Sequence, residues 1–405
     1  MDTNKSYKRY NFFLFAYWYD CRWKKFVGAT VKIWDLALNL SKQGNDVTIF
    51  LPKYHFDKGS SQVKIVEIPF LNLPFFRLLT FNLCLFFSLL FFYFKGRPEV
   101  VYVRRMASVI PGLYAKIIGA AFLFEVNDDP YRKDFHEGSK IAFRISKFLS
   151  EWQDEINLRL CSKAFVITPE IAEKIFKNNP YLEKSKLEIM PSGANTDLLK
   201  PLDKNQCRKH LKFSNKKKIV SFAGTLLEHQ GIEILIQAAA KIIKKMPETL
   251  FLIIGEGPKK QDWINLMKER HLSQNFIFAG QISYENIPIW LGSADICVAP
   301  FMKSAGFRSP VKIFDYMACG KAVVASKISG TTDLFEKSGA IVFVEAENPT
   351  TLSEKIIELL SDEKKANKMG ADGRKFILMN FDRKKFAENI NKKAKFFKKT
   401  NSLKL

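Results

Sequence analysis

The residues around position 310 combine types and spacing that could do chemistry. Ser309-Pro310-Val311-Lys312 follows an apolar run that ends at Pro300, and Asp315 and Gly320 lie further along the same segment. Ser309 suits a helix N-cap, and Pro310 suits a first helical position, where no hydrogen-bond donor is lost. A helix would then run to Cys319 and stop at Gly320. Its first turn, with Val311, would sit just beyond a strand and offer backbone N–H groups to a phosphate. Arg308 and Lys312 could add charge-assisted bonds there. Asp315 could accept two hydrogen bonds from a ribose. The same spacing also fits an ordinary strand–turn–helix with solvated Arg and Lys and a solvent-facing or capping Asp315, and both readings stay open on spacing alone.

Three more loops have the same character. An apolar run over 219–222 leads to Gly224 and Thr225, then His229, Gln230 and Gly231, where a second helix would begin. Gly224 would let a ligand approach the backbone closely. Gly255-Glu256-Gly257-Pro258 follows another apolar run, but lacks the third glycine of a dinucleotide fingerprint. Gln281-Ile282 could contact a base through backbone groups. Nearer the N-terminus, Asn127 and Asp128 follow an apolar run and could bind hydroxyl groups of a ligand, or simply cap a turn before Pro130. His229 reads as a satisfied surface histidine. No Asp-x-Asp triplet occurs, so a metal-held diphosphate is not expected, and neither is a cofactor.

The elements that must position these loops read as alternating strands and helices. Short continuous apolar runs at 12–19, 47–51, 63–68, 100–103, 122–126 and 165–167 signal strands buried on both faces, with helical patterns between them, as at 31–40 and 141–160. The second half repeats the style, with strands at 219–222, 250–254, 276–278, 296–298, 322–325 and 341–344 and helices at 232–245, 259–270, 287–293 and 311–318. The fold class is therefore α/β, with two doubly wound Rossmann-like domains, 1–200 and 201–380. A C-terminal helix over 381–400 is placed to pack back on the first. Ligands of open parallel sheets bind beyond the strand C-termini, which places the expected site in a cleft between facing domains.

At 405 residues, 47% hydrophobic and 26% charged, the composition is globular. The formal charge of +23 fits either a soluble Lys-rich protein or attraction to an anionic partner. Nucleic acid ranks last among such partners, because no zinc-finger or RNA-binding signature is present. The six cysteines form no C-x-x-C pair and read as reduced, packed thiols of a cytoplasmic protein. The first apolar run is too short for a signal peptide. The uncharged run over 78–94 is short of a membrane span and is closed by Arg77 and Lys95. It fits a core helix under the sheet or a helix with one apolar face in a lipid leaflet. The expected location is cytoplasmic, peripheral on the inner face of the plasma membrane through 70–95.

Taken in order along the chain, these segments resemble glycosyltransferase family 4 of the GT-B superfamily. Val100-Val-Tyr-Val-Arg104 is similar to its D-V-V-Y-V-R strand. Ile189-Met-Pro-Ser-Gly-Ala-Asn-Thr-Asp197 is similar to its P-N-G-V-D segment, and Ser293-Ala-Asp-Ile-Cys-Val-Ala-Pro300 to A-D-V-x-V-x-P. The block from Ser309 to Gly320 resembles S-P-L-K-x-x-E-Y-M-A-C-G. The resemblance implies two facing Rossmann-like domains and a retaining, metal-independent transferase using a UDP- or GDP-sugar. The implied acceptor is a glycan or a lipid-linked molecule, in cell-surface polysaccharide or glycolipid synthesis. It adds Gly28 as the glycine of a loop near the donor phosphates. It also shows departures. Thr225 and Gln230 stand where many members carry the Arg and Lys that bind the diphosphate, and Phe307 stands where the first of two acids is expected, eight positions before Asp315. Arg308 and Lys312 are then the local replacements. A non-catalytic nucleotide-sugar-binding partner of another transferase, or a GT-B-shaped epimerase, is the rival reading.

Overall fold

In the computed structural model, residues 9–17, 29–53, 63–73, 76–131, 140–305 and 310–402 are described. The chain separates into two compact units, Met1–Pro191 with Arg383–Leu405, and Ser192–Asp382.

The first unit runs β1 (Asn11–Phe15), α1 (Ala29–Lys42), β2 (Asp46–Pro52), β3 (Lys64–Ile68), α2 (Phe76–Lys95), β4 (Val100–Arg104), α3 (Ile110–Ile118), β5 (Ala121–Val126), α4 (Lys140–Leu160), β6 (Lys163–Val166), α5 (Pro169–Asn178) and β7 (Leu187–Ile189). The second runs α6 (Lys204–His210), β8 (Lys218–Ala223), α7 (Ile232–Lys245), β9 (Thr249–Ile254), α8 (Lys260–Glu269), β10 (Phe276–Gly280), α9 (Ile287–Ser293), β11 (Ile296–Ala299), α10 (Val311–Ala318), β12 (Ala322–Ser326), α11 (Thr332–Phe335), β13 (Ile341–Val344), α12 (Pro349–Ser361) and α13 (Glu363–Asn380). The final helix, α14 (Arg383–Ser402), returns to the first unit and packs on α1.

The first sheet has the order β3-β2-β1-β4-β5-β6-β7 and the second β10-β9-β8-β11-β12-β13, with parallel pairing throughout. Strand alternation divides the first core. Phe12 and Leu14 join Ile33, Leu36 and Ile390 on the α1/α14 face. Phe13 packs against Phe50 and Phe92 on the other face, tilted and edge-on, at 5.0 and 5.1 Å between ring centres. Helix α3 packs between α2 and α4. Both sheets reverse direction once, between β1 and β4 and between β8 and β11. Open α/β sheets take ligands outside the carboxyl ends of strands at such a switch in strand order.

Beyond end shifts of one or two residues, the strands depart from the sequence reading in two places. β1 closes at Phe15 rather than running to 19, and residues 18–19 lie outside the described ones. β7, with three residues, was not anticipated, because so short a run carries no period. Cys161, Cys207, Cys297 and Cys319 are buried unpaired thiols and Cys84 is half-buried, while Cys21 lies outside the described residues.

Candidate donor-phosphate and acceptor sites

The ladder between β8 and β11 pairs Val220 with Ile296 and Ser221 with Cys297, and goes no further. Beyond it the Tyr316 hydroxyl, from the buried face of α10, takes over. It accepts a hydrogen bond from the Ala223 N–H at 2.6 Å and donates to the Ala223 carbonyl at 3.3 Å. This bolts α10 to the end of β8, where the first glycine loop begins. Tyr316→Phe leaves a buried N–H without its partner, which costs about 1–3 kcal/mol. We expect a lower melting temperature with unchanged far-UV circular dichroism, and weaker nucleotide-sugar binding by calorimetry. A variant with wild-type affinity would remove Tyr316 from the site's support.

Gly224 follows at φ +155°, and a methyl group there would stand 2.9 Å from Lys312 Nζ. One strand over, Gly255 has φ +136°, and its methyl would lie 1.9 Å from the Gly224 carbonyl oxygen. The two loops therefore touch backbone to backbone, as only glycine permits. They are stitched by Gly224 N–H to Ile254 O and Leu226 N–H to Glu256 O, both at 2.9 Å. Gly257 approaches the same Leu226 carbonyl. Gly280, before Ile282, accepts from the Gly255 N–H at 2.8 Å and joins the third loop to the set.

Lys312 rises from the first turn of α10 into this junction. Its ammonium lies 3.7 Å from the centre of the Phe222 ring and 5.0 Å from that of Phe301. It donates to Gln230 Oε1. Among the described residues no carboxylate pairs with it, and burial pushes its pKa well below the ordinary lysine value. A cation held by two aromatic faces and a neutral amide is poorly compensated, so an incoming phosphate would find it unpaired. Gln230 is steadied by its neighbour, His229 Nε2 standing 2.9 Å from Gln230 Nε2.

The structure thus brings Gly224, Gln230 and Lys312 into direct contact and joins Gly257 to their loop. Thr225 is exposed in the same loop, Val311 is exposed at the start of α10, and Asp315 is half-buried three residues after Lys312. Ile282 is half-buried and packs against the core of this unit. Gly28, Arg308 and Ser309, with Phe307, lie outside the described residues. Two details of the sequence reading change. Pro310 is the N-cap rather than the first helical residue, because its ψ of 60° is not helical, and the helix ends at Ala318 with Cys319 as its cap. His229 is buried rather than on the surface, because its own carbonyl receives the Met302 N–H and draws the loop inward.

In the first unit, Asn127 and Asp128 follow β5. Asp128 is exposed and pairs with Arg105 Nη1 at 2.6 Å, while Arg105 Nε donates to the buried Asp154 at 2.8 Å. Burial alone would lower the Arg105 pKa, and Asp154 and Asp128 together raise it. The turn cap falls to Asp129, which receives the Tyr131 N–H at 3.0 Å. Asn127 is half-buried beside them. Arg105 and Asp154 were missed from sequence. The Arg104-Arg105 pair at a strand end was the available signal, whereas Asp154 is one acid among several in a long helix.

Residues 27–198 match the family described as Glycosyltransferase Family 4, and residues 203–376 the family described as Glycosyl transferases group 1. A GDP-mannose-dependent monoacylated alpha-(1-6)-phosphatidylinositol monomannoside mannosyltransferase of Corynebacterium glutamicum is 29% identical over 197 residues, 47% of this chain and 51% of that protein, so the chain spans about half of that relative's length. Sucrose-phosphate synthase from Thermosynechococcus elongatus superposes with a TM-score of 0.76 at 18% identity, covering 97% of this chain and 100% of that one. HepE from Anabaena, solved with UDP and glucose, superposes with a TM-score of 0.71 at 16% identity, covering 95% and 99%. Two parallel-sheet units and two family matches set end to end lead to one assignment: the chain belongs to the family 4 glycosyltransferases and has the GT-B fold.

Proposed function

We propose that this glycosyltransferase moves a sugar, with retention of anomeric configuration and without a metal ion, from a UDP- or GDP-sugar to a glycan or lipid-linked acceptor. The observation that carries the reading is Lys312, a cation that no carboxylate pairs among the described residues, in contact with Gly224 and Gln230 beyond the carboxyl ends of β8 and β11. Many family members carry their diphosphate-binding Lys at the position of Gln230. Here the cation reaches the same place from α10. The UDP bound by HepE and the GDP-mannose dependence of the Corynebacterium relative support a nucleotide-sugar donor.

In this reading the diphosphate lies over the Gly224 and Gly255 loops, and Lys312 shifts from Gln230 to a phosphate oxygen. Asp315 and the Ile282 loop hold the nucleoside. The bond from the anomeric carbon to the diphosphate oxygen breaks as the acceptor oxygen bonds on the same face. The acceptor's proton passes to the departing phosphate oxygen. Lys312 compensates charge that grows on the leaving group, so its contribution is larger in the transition state than in the ground state. Asn127 serves the sugar or acceptor. Asp128, already committed to Arg105, acts by positioning that loop.

The test is a panel of nucleotide sugars screened by melting temperature, since a ligand at one hundred times its Kd stabilises by about 2.7 kcal/mol. Release of nucleoside diphosphate on adding acceptor, an α-linked product by NMR from an α-linked donor, and indifference to EDTA are expected. Donor binding with no release under any acceptor would favour a non-catalytic partner, and EDTA inactivation would overturn metal independence.

A further inference from the structure

We propose that the outward face of α2, with the adjoining end of α3, docks the protein flat onto an anionic lipid leaflet. The proposal does not depend on the donor chemistry above, since the face lies in the first unit and its test needs no turnover.

Helix α2 is apolar on both sides, but among the described residues only one side has a partner. Phe81, Leu85 and Leu89 are buried against the sheet. Phe92 joins them through edge contacts with Phe13 and Phe50 at 5.1 and 5.4 Å. The opposite stripe holds Leu79, Leu83, Phe86, Phe87, Leu90 and Phe94, at the spacing of one helical face. All six are exposed, Leu79 to 64% and Phe94 to 80%. On the neighbouring α3, Ile117 is 73% exposed and extends the patch. Contiguous apolar surface of this kind on a folded chain marks an interaction site. The polar residues of α2 do not wet it. Thr80, Asn82 and Ser88 spend their hydrogen bonds on carbonyls one turn back, and Asn82 also on Ala107 O.

The charge around the patch names the occupant. Between Glu67 and Glu125 the only carboxylate is Glu99, which is tied to the Asn11 N–H at 3.0 Å. The same stretch carries Arg77, Lys95, Arg97 and Lys116 at the ends of α2 and on α3. Lys95 and Arg97 lean on the Phe91 and Tyr93 rings, with their charges at the patch edge. An apolar stripe rimmed by cations is the composition of an interfacial helix, whose stems sit in the acyl boundary and whose charges meet anionic headgroups. A second copy of the chain fits poorly, because a two-fold contact would set cation against cation with no acid to pair them. Spanning fits poorly too, since it would strip Phe81, Leu85, Leu89 and Phe92 from the sheet. The helix therefore lies in the plane of the leaflet.

The experiment uses the full-length protein with vesicles of phosphatidylcholine alone or mixed with phosphatidylglycerol. Sedimentation with the mixed vesicles only is expected. Lys95→Gln, Arg97→Gln and Lys116→Gln should each weaken it about fivefold. Leu83→Ser with Phe87→Ser should weaken it about tenfold or more. Phe87→Trp keeps the face apolar and reports depth, so blue-shifted emission and quenching by brominated acyl chains are expected even if the serine variant fails to fold. Equal binding to both vesicle types, or a Trp that brominated lipid does not quench, overturns the proposal. So does a solution dimer that Leu83→Ser dissociates, which would give the face to a second copy.

Discussion

Lys312→Met lowers kcat/KM for the nucleotide sugar by about 10²–10³-fold, the scale of losing one preorganised group that stabilises transition-state charge, and at the same time raises the melting temperature of the empty protein at neutral pH. The two effects have one origin. The ammonium sits on Phe222 and Phe301, and among the described residues an amide oxygen, not a carboxylate, accepts from it, so burial penalises its charged form. Methionine has a similar shape and no charge to desolvate. The pH dependence separates this account from simple repacking. With the folded pKa of Lys312 depressed below its ordinary 10.5, the unfolded chain binds more protons over the window between the two values, and wild-type stability climbs with pH there. The Met variant lacks that climb. Its advantage is therefore largest below the depressed pKa and vanishes as pH approaches 10.5. A second substitution tests the location of the cation. Gln230 and Lys312 are hydrogen-bond partners, so Gln230→Lys in the Lys312→Met background returns an ammonium to within one hydrogen-bond length of the lost one and should recover about tenfold in kcat/KM. A Met variant with near wild-type kcat/KM, or one that melts lower at every pH, would remove Lys312 from the diphosphate.

The elements behind this prediction were legible to different degrees. α10 and the glycine loop after β8 could be read from sequence, because proline and glycine punctuation is local and the helix period unmistakable. Phosphate binding by Lys312 was one of two open readings, the other a solvated lysine, because its partner Gln230 is 82 residues away and no local pattern joins them. Nothing local marks Tyr316, and its bond to Ala223 appears only once the β8–β11 ladder is seen to stop at Ser221. Helix α2 failed differently. An all-apolar helix has no polar face to mark its outside, so sequence left two readings, and only the sheet position separates Leu85 from Phe87. Glu125 was visible as an acid inside an apolar strand, yet the cation that explains it lies 93 residues upstream.

Glu125→Ala should destabilise the first unit by about 3–5 kcal/mol, the range for stranding one partner of a buried ion pair, and should cost more than Lys32→Met. Both carboxylate oxygens are engaged, one by Lys32 Nζ at 2.5 Å and the other by the Tyr102 hydroxyl at 2.7 Å, and all three side chains are buried. Burial pushes the Glu125 carboxyl up, but Lys32 and Arg104 outweigh it and hold the pKa at about 2. Lys32 is brought down to about 8, burial exceeding the pull of Glu125. Removing the acid leaves a buried ammonium facing the Phe386 ring and the like charges of Arg104 and Arg383, and a buried hydroxyl that has lost the Glu125 acceptor. Removing the lysine leaves an acid that still has Tyr102 and the field of Arg104, a milder loss. Lys32→Met with Glu125→Gln removes both charges while its amide oxygen still accepts from Tyr102, and should return most of the stability. The acid limb carries the same information. Glu125 contributes stability above its ordinary 4.5 that is lost as pH falls toward 2, so urea midpoints of the wild type should drop through that window while those of the double variant drop less. Because β5 also carries Asn127 and Asp128 at its end, Glu125→Ala should loosen the acceptor-side loop before the second unit unfolds, and acceptor KM should rise with donor binding unchanged. A Glu125→Ala midpoint no lower than that of Lys32→Met would mean the pair is solvated and carries none of this.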